Sequence, residues 1–317
     1  MKILVTGGAG FIGSHVVDAY VALGHEVVVM DDFSSGRREN INQKAKVLAV
    51  DIRATEVDKI FEDERFDAIN HHAAHIHVGR SVADPAHDAE INILGTINLM
   101  QAAVKVGTIK KVIFASTGGA MYGNKQTPFV ETMMPAPLSP YGVSKRAAEL
   151  YLNFYWEQYH IPFVALRYAN VYGPRQNPYG EAGVVAIFCE QLLRGQRTTI
   201  FGDGKQTRDY VFVKDVVEAN QQALTAKPVG VFNIGTGKET DVNEIYRLVA
   251  EALTSRLSPK FDSPRPGEQR VSSLNASLAK TVLGWQPTTA LAEGIGQTVA
   301  YYEKQEHYAG IDSDSGL

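Results

Sequence analysis

Lys2-Ile3-Leu4-Val5-Thr6-Gly7-Gly8-Ala9-Gly10-Phe11-Ile12-Gly13 is the stretch that decides the fold. Its first five residues are a short, β-rich apolar run, the pattern of a strand buried on both faces of a parallel sheet. Glycines follow at once. A helical pattern from Ile12 to Leu23 comes next, and Gly24 stops it. Glycines placed where a strand feeds a helix allow a tight turn, close backbone approach to a pyrophosphate and close packing of helix on strand. The free N–H groups at the helix start then face the phosphates. Gly7, Gly10 and Gly13 give the spacing G-x-x-G-x-x-G.

Working outward, Glu26 to Met30 reads as the second strand and ends in Asp31-Asp32. Asp31 lies 18 residues after Gly13, close to the ~20 expected of an acid that binds a ribose. A carboxylate accepts hydrogen bonds from a 2′-hydroxyl and repels a 2′-phosphate, so NAD is expected rather than NADP. Arg37 and Arg38 nearby read as a solvated loop. Asp51, after a strand at 46–50, either approaches the adenine or caps the next helix. Residues 66–70 and 111–115 are further strand candidates. The expected class is α/β, a Rossmann-type doubly wound parallel sheet.

His71, His72, His75 and His77 crowd the end of the 66–70 strand. No cysteine or acid is interleaved among them at ligand spacing, so a cofactor-side loop is expected and no metal site. Thr117 leaves the C-terminal end of the 111–115 strand, where ligands of such sheets bind. Tyr141 and Lys145 stand four residues apart, one turn apart on one helix face. An ammonium beside a phenol favours the phenolate, so the pair is a candidate general base for an alcohol proton.

The chain has 317 residues, a formal charge of −4, 44% apolar and 21% charged residues. These values fit a globular protein of about two domains. They recruit neither nucleic acid nor an anionic membrane. Cys189 is the single cysteine. It permits no intrachain disulfide and fits a reducing compartment, so the expected location is cytoplasmic. The helical stretches 90–106 and 141–159 are apolar on more than one face, which predicts burial on two sides and a homodimer through them. After about residue 174 the βα rhythm weakens. A helix over 184–193, short strands at 198–201 and 208–213, a helix capped by Asp215 and a returning strand at 231–234 are expected. The polar end, 311–317, reads as a loose tail.

Taken in order, G-G-x-G-F-I-G, the acid after the second strand, H-A-A, the S-T-G-G-x-x-Y-G loop at 116–123 and Y-x-x-x-K resemble the extended short-chain dehydrogenase/reductase family, in which G-x-x-G-x-x-G is a known variant. Within it the chain is most similar to the nucleotide-sugar epimerases. Arg167 to Arg175, Phe201 to Gly204, Arg208 to Val211, Asn233 to Gly237, 265–268 and Leu283-Gly284-Trp285 agree, and the likeness spans about residues 1–300.

This resemblance implies 4-epimerisation of a UDP-hexose by way of a 4-ketone, with NAD as cofactor. Thr117, Tyr141 and Lys145 match the catalytic positions. Gly7, Gly10, Phe11, Ile12, Gly13, Asp31, Asp51, Ile52, Ala73, Ala74, Asn92, Tyr141, Lys145 and Tyr168 match cofactor positions, with Asp32 beside Asp31. Asn170, Arg208 and Arg265 match residues that hold the nucleotide sugar, with Glu268 near the uridine ribose. Ser272 matches a wall of the sugar pocket where a bulky residue keeps out N-acetyl sugars, so a serine implies that they enter. The implied domains are 1–174 plus 206–237 for NAD, and 175–205 plus 238–310 for the nucleotide sugar. Gly118-Gly119 stands where dehydratases carry an Asp-Glu pair, so dehydration is not expected. A uronic-acid 4-epimerase and a non-catalytic NAD-sensing regulator on the same fold are the alternatives.

Overall fold

The computed structural model describes residues 1–179, 183–265 and 269–314, with 306–314 by backbone alone. In chain order the first part runs β1 (Lys2–Thr6), α1 (Phe11–Ala22), β2 (Glu26–Met30), β3 (Lys46–Leu48), α2 (Glu56–Glu64), β4 (Ala68–His71), α3 (Val78–Ala83) and α4 (Pro85–Ala89). A π-helical turn, Glu90–Leu94, then leads straight into α5 (Gly95–Val106), followed by β5 (Lys111–Thr117), α6 (Pro140–Tyr159) and β6 (Phe163–Tyr168). The second part holds β7 (Asn170–Tyr172), α7 (Val184–Leu193), β8 (Thr199–Phe201), β9 (Thr207–Arg208), β10 (Tyr210–Phe212), α8 (Val213–Thr225) and β11 (Gly230–Ile234). It ends with β12 (Thr240–Asp241), α9 (Val242–Ala252), β13 (Lys260–Asp262), α10 (Ser277–Leu283) and α11 (Leu291–Asp314).

Seven parallel strands form the main sheet in the order β11-β6-β5-β4-β1-β2-β3. The order reverses between β1 and β4, which is where open α/β sheets leave a crevice for ligands. The strands are apolar on both faces because both faces are covered. Ile3 and Val5 pack with Val16, Val17 and Tyr20 of α1 and with Val216 and Ala219 of α8. Leu4 packs on the other side with Val57 and Phe61 of α2, Leu99 of α5 and Leu152 of α6. Val164 and Leu166 of β6 alternate with Phe163 and Ala165 in the same way. A period of two thus sends successive residues into opposite layers.

A third apolar cluster gathers residues from discontinuous pieces of chain: Tyr172, Val185, Phe188, Phe212, Ile245, Val249, Ile295 and Val299. The phosphate-turn residue Phe11 packs against it. The returning strand expected at 231–234 joins β6 in parallel.

Two details differ from the sequence expectations. Asp215 does not cap its own helix, because α8 already begins at Val213. Its carboxylate instead accepts hydrogen bonds from the N–H and hydroxyl groups of Thr288 and Thr289, tying the chain before α11 to α8. The end of the chain is also more regular than its composition predicts. α11 continues to Asp314, so residues 311–314 are helical, and 315–317 lie outside the described residues.

Behind the C-terminal edge of β5 lies a buried ion pair. Arg167 is 1% and Glu149 is 3% exposed. The guanidinium grips the carboxylate with two bonds, Nε to Oε1 at 2.8 Å and Nη2 to Oε2 at 2.6 Å. Ser116 Oγ donates to the same carboxylate at 2.7 Å, and Arg167 Nη1 donates to the Tyr122 hydroxyl at 2.8 Å. A buried pair adds little over an apolar substitute, but breaking it strands a charge. Glu149→Ala is therefore expected to cost ~3–5 kcal/mol, read as a lowered urea midpoint. A midpoint equal to wild type would contradict the assignment.

Candidate active site

The turn between β1 and α1 is built to approach something closely. Gly7 has φ +67°, and a Cβ there would meet the Ala73 nitrogen at 2.6 Å. Only glycine suits both demands. α1 begins at Phe11 with no side-chain cap and no acid in its first turn. Its first N–H groups and the positive end of its dipole are thus left for an anion. Phe11 and Ile12 follow Gly10 into this first turn. A dinucleotide pyrophosphate fits here.

Asp31 lies at the end of β2, 6% exposed. It accepts from Ala9 N and Phe33 N, each at 2.9 Å. Burial raises its pKa above the usual carboxylate range, against the pull of these two bonds. Each oxygen keeps a lone pair for a ribose hydroxyl. Asp32 is exposed and accepts from Ser34 N at 2.9 Å and Ser34 Oγ at 2.7 Å. Arg37 pairs with Glu39 at 3.3 Å, and Arg38 lies over the Phe33 ring at 4.2 Å. Asp51 grips the Arg53 guanidinium and accepts from the Arg53 N–H at 2.8 Å, a local turn rather than a helix cap. Ile52 is 4% exposed and packs closely on Gly95.

The histidines separate. His71 is buried between Thr6 Oγ1 at 2.7 Å and Thr96 Oγ1 at 3.0 Å. His72 stacks on Tyr168 with ring centroids 6.2 Å apart, and its buried Nδ1 has no protein partner. Burial, and then the Lys145 charge, pushes the His72 pKa down to about 3, so it is neutral. Among the described residues no three or more His, Cys, Asp or Glu side chains converge as a metal set. Ala73, whose N–H donates to the Thr6 hydroxyl at 3.2 Å, and Ala74 continue this loop. Asn92, in the π-helical turn, is fully engaged within the protein: it accepts from His75 N at 2.9 Å and donates to His75 O at 2.9 Å and to Asp88 at 3.1 Å. These bonds brace the loop after β4. Tyr168 receives a bond from Asn220 Nδ2 at 2.8 Å.

Thr117, Tyr141 and Lys145 come together at the end of β5. Ser139 caps α6 by accepting from Gly142 N at 3.2 Å, and Pro140 occupies the first turn, a pairing suited to a helix start. This sets Tyr141 and Lys145 a turn apart on the face turned to β5. The Tyr141 phenol hydrogen-bonds the Thr117 side chain, and burial pushes its pKa up to about 12. Lys145 is 3% exposed. Its ammonium donates to Ala115 O at 2.8 Å and lies 4.7 Å from the Phe114 ring centre. Burial lowers its pKa to about 8, with Asp88 and Glu149 pulling the other way.

The wall opposite comes from the second part of the chain. Asn170 Oδ1 lies 3.8 Å from where a Gly119 Cβ would stand. A Cβ on Gly118 would run into the Leu274 side chain at 2.4 Å. Ser272, 3% exposed, lies two residues before Leu274, itself 1% exposed. The buried Asp209 carboxylate fastens this wall, accepting from Thr236 N at 2.8 Å, Gly237 N at 3.0 Å and Leu274 N at 3.1 Å. Arg208 precedes it and bonds Thr207 O at 2.8 Å. Arg265 is exposed, with its guanidinium over the Phe201 ring at 4.2 Å. Glu268 lies outside the described residues.

Two participants escaped the sequence reading. Glu149 carries a signal, since it follows Lys145 by four and continues the same helix face. Asp88 stands four residues before Asn92, which it bonds, but its bond to Ser144 spans 56 positions and leaves no local signal.

The comparisons with known proteins agree with this geometry. Residues 3–235 match the model of the NAD dependent epimerase/dehydratase family. A UDP-glucose 4-epimerase of Mycolicibacterium smegmatis is 46% identical, covering 96% of this chain and 99% of the relative. The solved UDP-glucose 4-epimerase of Thermotoga maritima with UDP-glucose is 48% identical with a TM-score of 0.94, covering 96% and 100%. That of Thermus thermophilus, in complex with NAD, is 44% identical with a TM-score of 0.90, covering 96% and 99%. The chain belongs to the NAD dependent epimerase/dehydratase family, nucleotide-sugar enzymes of the extended short-chain dehydrogenase/reductase type.

Proposed function

We propose that this chain is an NAD-dependent UDP-hexose 4-epimerase that interconverts UDP-glucose and UDP-galactose. The observation that carries this is the phenol of Tyr141 bonded to Thr117, with the buried ammonium of Lys145 one turn away. That trio stands at the ligand-binding edge of the sheet, in a chain 48% identical to a UDP-glucose 4-epimerase.

The problem for such an enzyme is a carbon that bears a hydroxyl and an unacidic hydrogen. Inversion becomes easy once that carbon is a planar ketone. NAD, when bound, supplies the two-electron acceptor that makes the ketone and later reverses it. The chain supplies the rest. Tyr141 takes the proton of the 4-hydroxyl and returns it after the sugar has turned over. Thr117 hydrogen-bonds the reacting oxygen. Lys145 holds the nicotinamide ribose and favours the phenolate by its charge. The first turn of α1 would hold the pyrophosphate and Asp31 the adenine ribose, with Ala73, Ala74 and Tyr168 lining the cofactor.

The sugar must rotate, so the nucleotide carries the tight grip. Asn170, Arg208 and Arg265 are assigned to it, since a guanidinium fork matches phosphate oxygens. The assignment divides the chain into the NAD and nucleotide-sugar parts given above, with the third core packing residues of 184–200 and 242–302 against Tyr172 and Phe212 of the NAD part. Cys189, buried and unpaired, suits a cytoplasmic setting, and among the described residues no helix is long and apolar enough to cross a membrane.

A homodimer belongs to the same reading. Leu94, Val143, Leu150, Tyr151, Phe154 and Tyr159 are 40–56% exposed on the π-turn and on α6, a contiguous apolar surface that fits a second copy.

Incubation with NAD and, in separate tubes, UDP-glucose, UDP-N-acetylglucosamine and UDP-glucuronate is expected to yield UDP-galactose in the first. Recovery of every sugar unchanged would end the reading. Tyr141→Phe is expected to lower kcat by ~10²–10⁴ while NAD still binds. Ser272→Tyr should abolish turnover of the acetylated sugar and spare UDP-glucose; an equal loss on both would remove Ser272 from the pocket wall. Light scattering at micromolar concentration should give twice the chain mass of 34.7 kDa. Leu150→Glu with Phe154→Glu should give the single mass, and a monomeric wild type would refute the dimer.

A further inference from the structure

Asp88 is wholly buried, 0% exposed, at the end of α4. Its carboxylate accepts three hydrogen bonds from three separate segments: the Ser144 hydroxyl of α6 at 2.6 Å, Asn92 Nδ2 of the π-helical turn at 3.1 Å and His75 Nδ1 of the loop after β4 at 3.0 Å. Ser144 immediately precedes Lys145. Asn92 and His75 also exchange two backbone-to-side-chain bonds. A carboxylate withdrawn this far from water needs a compensating charge as well as hydrogen bonds. The buried ammonium of Lys145 stands one residue from its hydroxyl donor.

We propose that Asp88 is a positioning residue for the reaction assigned above. It clamps the start of the catalytic helix to the cofactor-side loop, and it is the counter-charge against which the Lys145 ammonium is set.

The neighbouring groups support the assignment. Lys145 faces Asp88 from α4, Glu149 from its own helix, and His71 and His72 from β4 and its loop. Burial holds His71 well below its ordinary value and His72 at about 3, so neither contributes charge in the working range. Glu149 is already gripped by Arg167, which screens its negative charge. That leaves Asp88 as the larger influence keeping Lys145 protonated against its burial. The same charge acts on Tyr141 and raises its pKa. Asp88 itself is met by His75, Asn92, Ser144, Tyr141 and Lys145. The signs are definite. Removing the negative charge releases the Lys145 proton at lower pH and also lets the Tyr141 phenol ionise at lower pH. Both limbs of the activity profile therefore move the same way, towards acid. A mere brace, once lost, lowers the amplitude of the profile and moves neither limb.

The test uses Asp88→Asn and Ser144→Ala. NAD affinity, followed by fluorescence quenching from pH 6 to 10, and the pH profile of UDP-glucose turnover are measured on the full chain. For Asp88→Asn the alkaline fall in NAD affinity and both limbs of the kcat profile should move down by about one pH unit, the order expected when a nearby charge is removed from a buried site. Ser144→Ala keeps the carboxylate and should leave the limbs in place while lowering kcat. The double exchange Asp88→Ser/Ser144→Asp retains one carboxylate in the same buried pair. It should keep the wild-type midpoint and serves if Asp88→Asn does not fold. Unshifted limbs in Asp88→Asn, equal shifts in Ser144→Ala, or a lowered midpoint in the double exchange would each overturn the proposal. A wild-type chain that binds NAD but converts no UDP-sugar would defeat the epimerase reading alone, and the binding titration would still decide the role of Asp88.

Discussion

A lysine ammonium held out of water beside the end of a parallel sheet has to be compensated, and the organisation around β5 follows from that requirement. Lys145 is 3% exposed. Dehydration alone favours its neutral form. The chain answers with a carbonyl, Ala115 O, with an aromatic face, Phe114, and with two buried carboxylates, Asp88 and Glu149. Each carboxylate then brings its own obligations. Glu149 is satisfied by Arg167 and Ser116, and Arg167 in turn by Tyr122. Tyr122 donates to Asn233 at 2.8 Å. One buried charge thereby links α6, β5, β6 and β11. Partly satisfied networks of this kind are costly, which favours a single arrangement of the edge.

The fold was legible where local rules and tertiary packing agree. The strand-turn-helix of residues 2–22 was readable because apolar residues in β1 face covered layers on both sides and the glycines stand at the turn. The same holds for α6, whose Tyr141 and Lys145 share a face by helical period alone. Legibility failed where a side chain serves a distant segment. Asp215 has the residue type and place of a helix cap, yet Thr288 and Thr289 claim it. The Gly/Ser/Asp-rich end reads as loose, yet the helix continues to Asp314. For Asp215 the sequence supplies the chemistry of the side chain, but the partners that decide its use lie 73 and 74 positions along the chain.

The phosphate turn also belongs to more than one core. Ile12 packs against the sheet, whereas Phe11, beside it, packs against the third cluster. The first turn of α1 is therefore held between two apolar clusters, the one on the parallel sheet and the third. Asp209 does a comparable task at the other wall, joining β9, the 236–237 turn and Leu274 through one carboxylate.

The contact between Gly118 and Leu274 bears on how such an enzyme diverges. The backbone after Thr117 runs against a leucine that is 1% exposed and packed among Met121, Tyr122 and Phe129. An acidic side chain introduced at position 118 meets this leucine before it meets any sugar. Residues 118 and 274 are thus coupled by volume: an acid at 118 asks Leu274 to turn aside or to be replaced by something smaller, so an aliphatic neighbour takes part in deciding which reactive group the loop can carry.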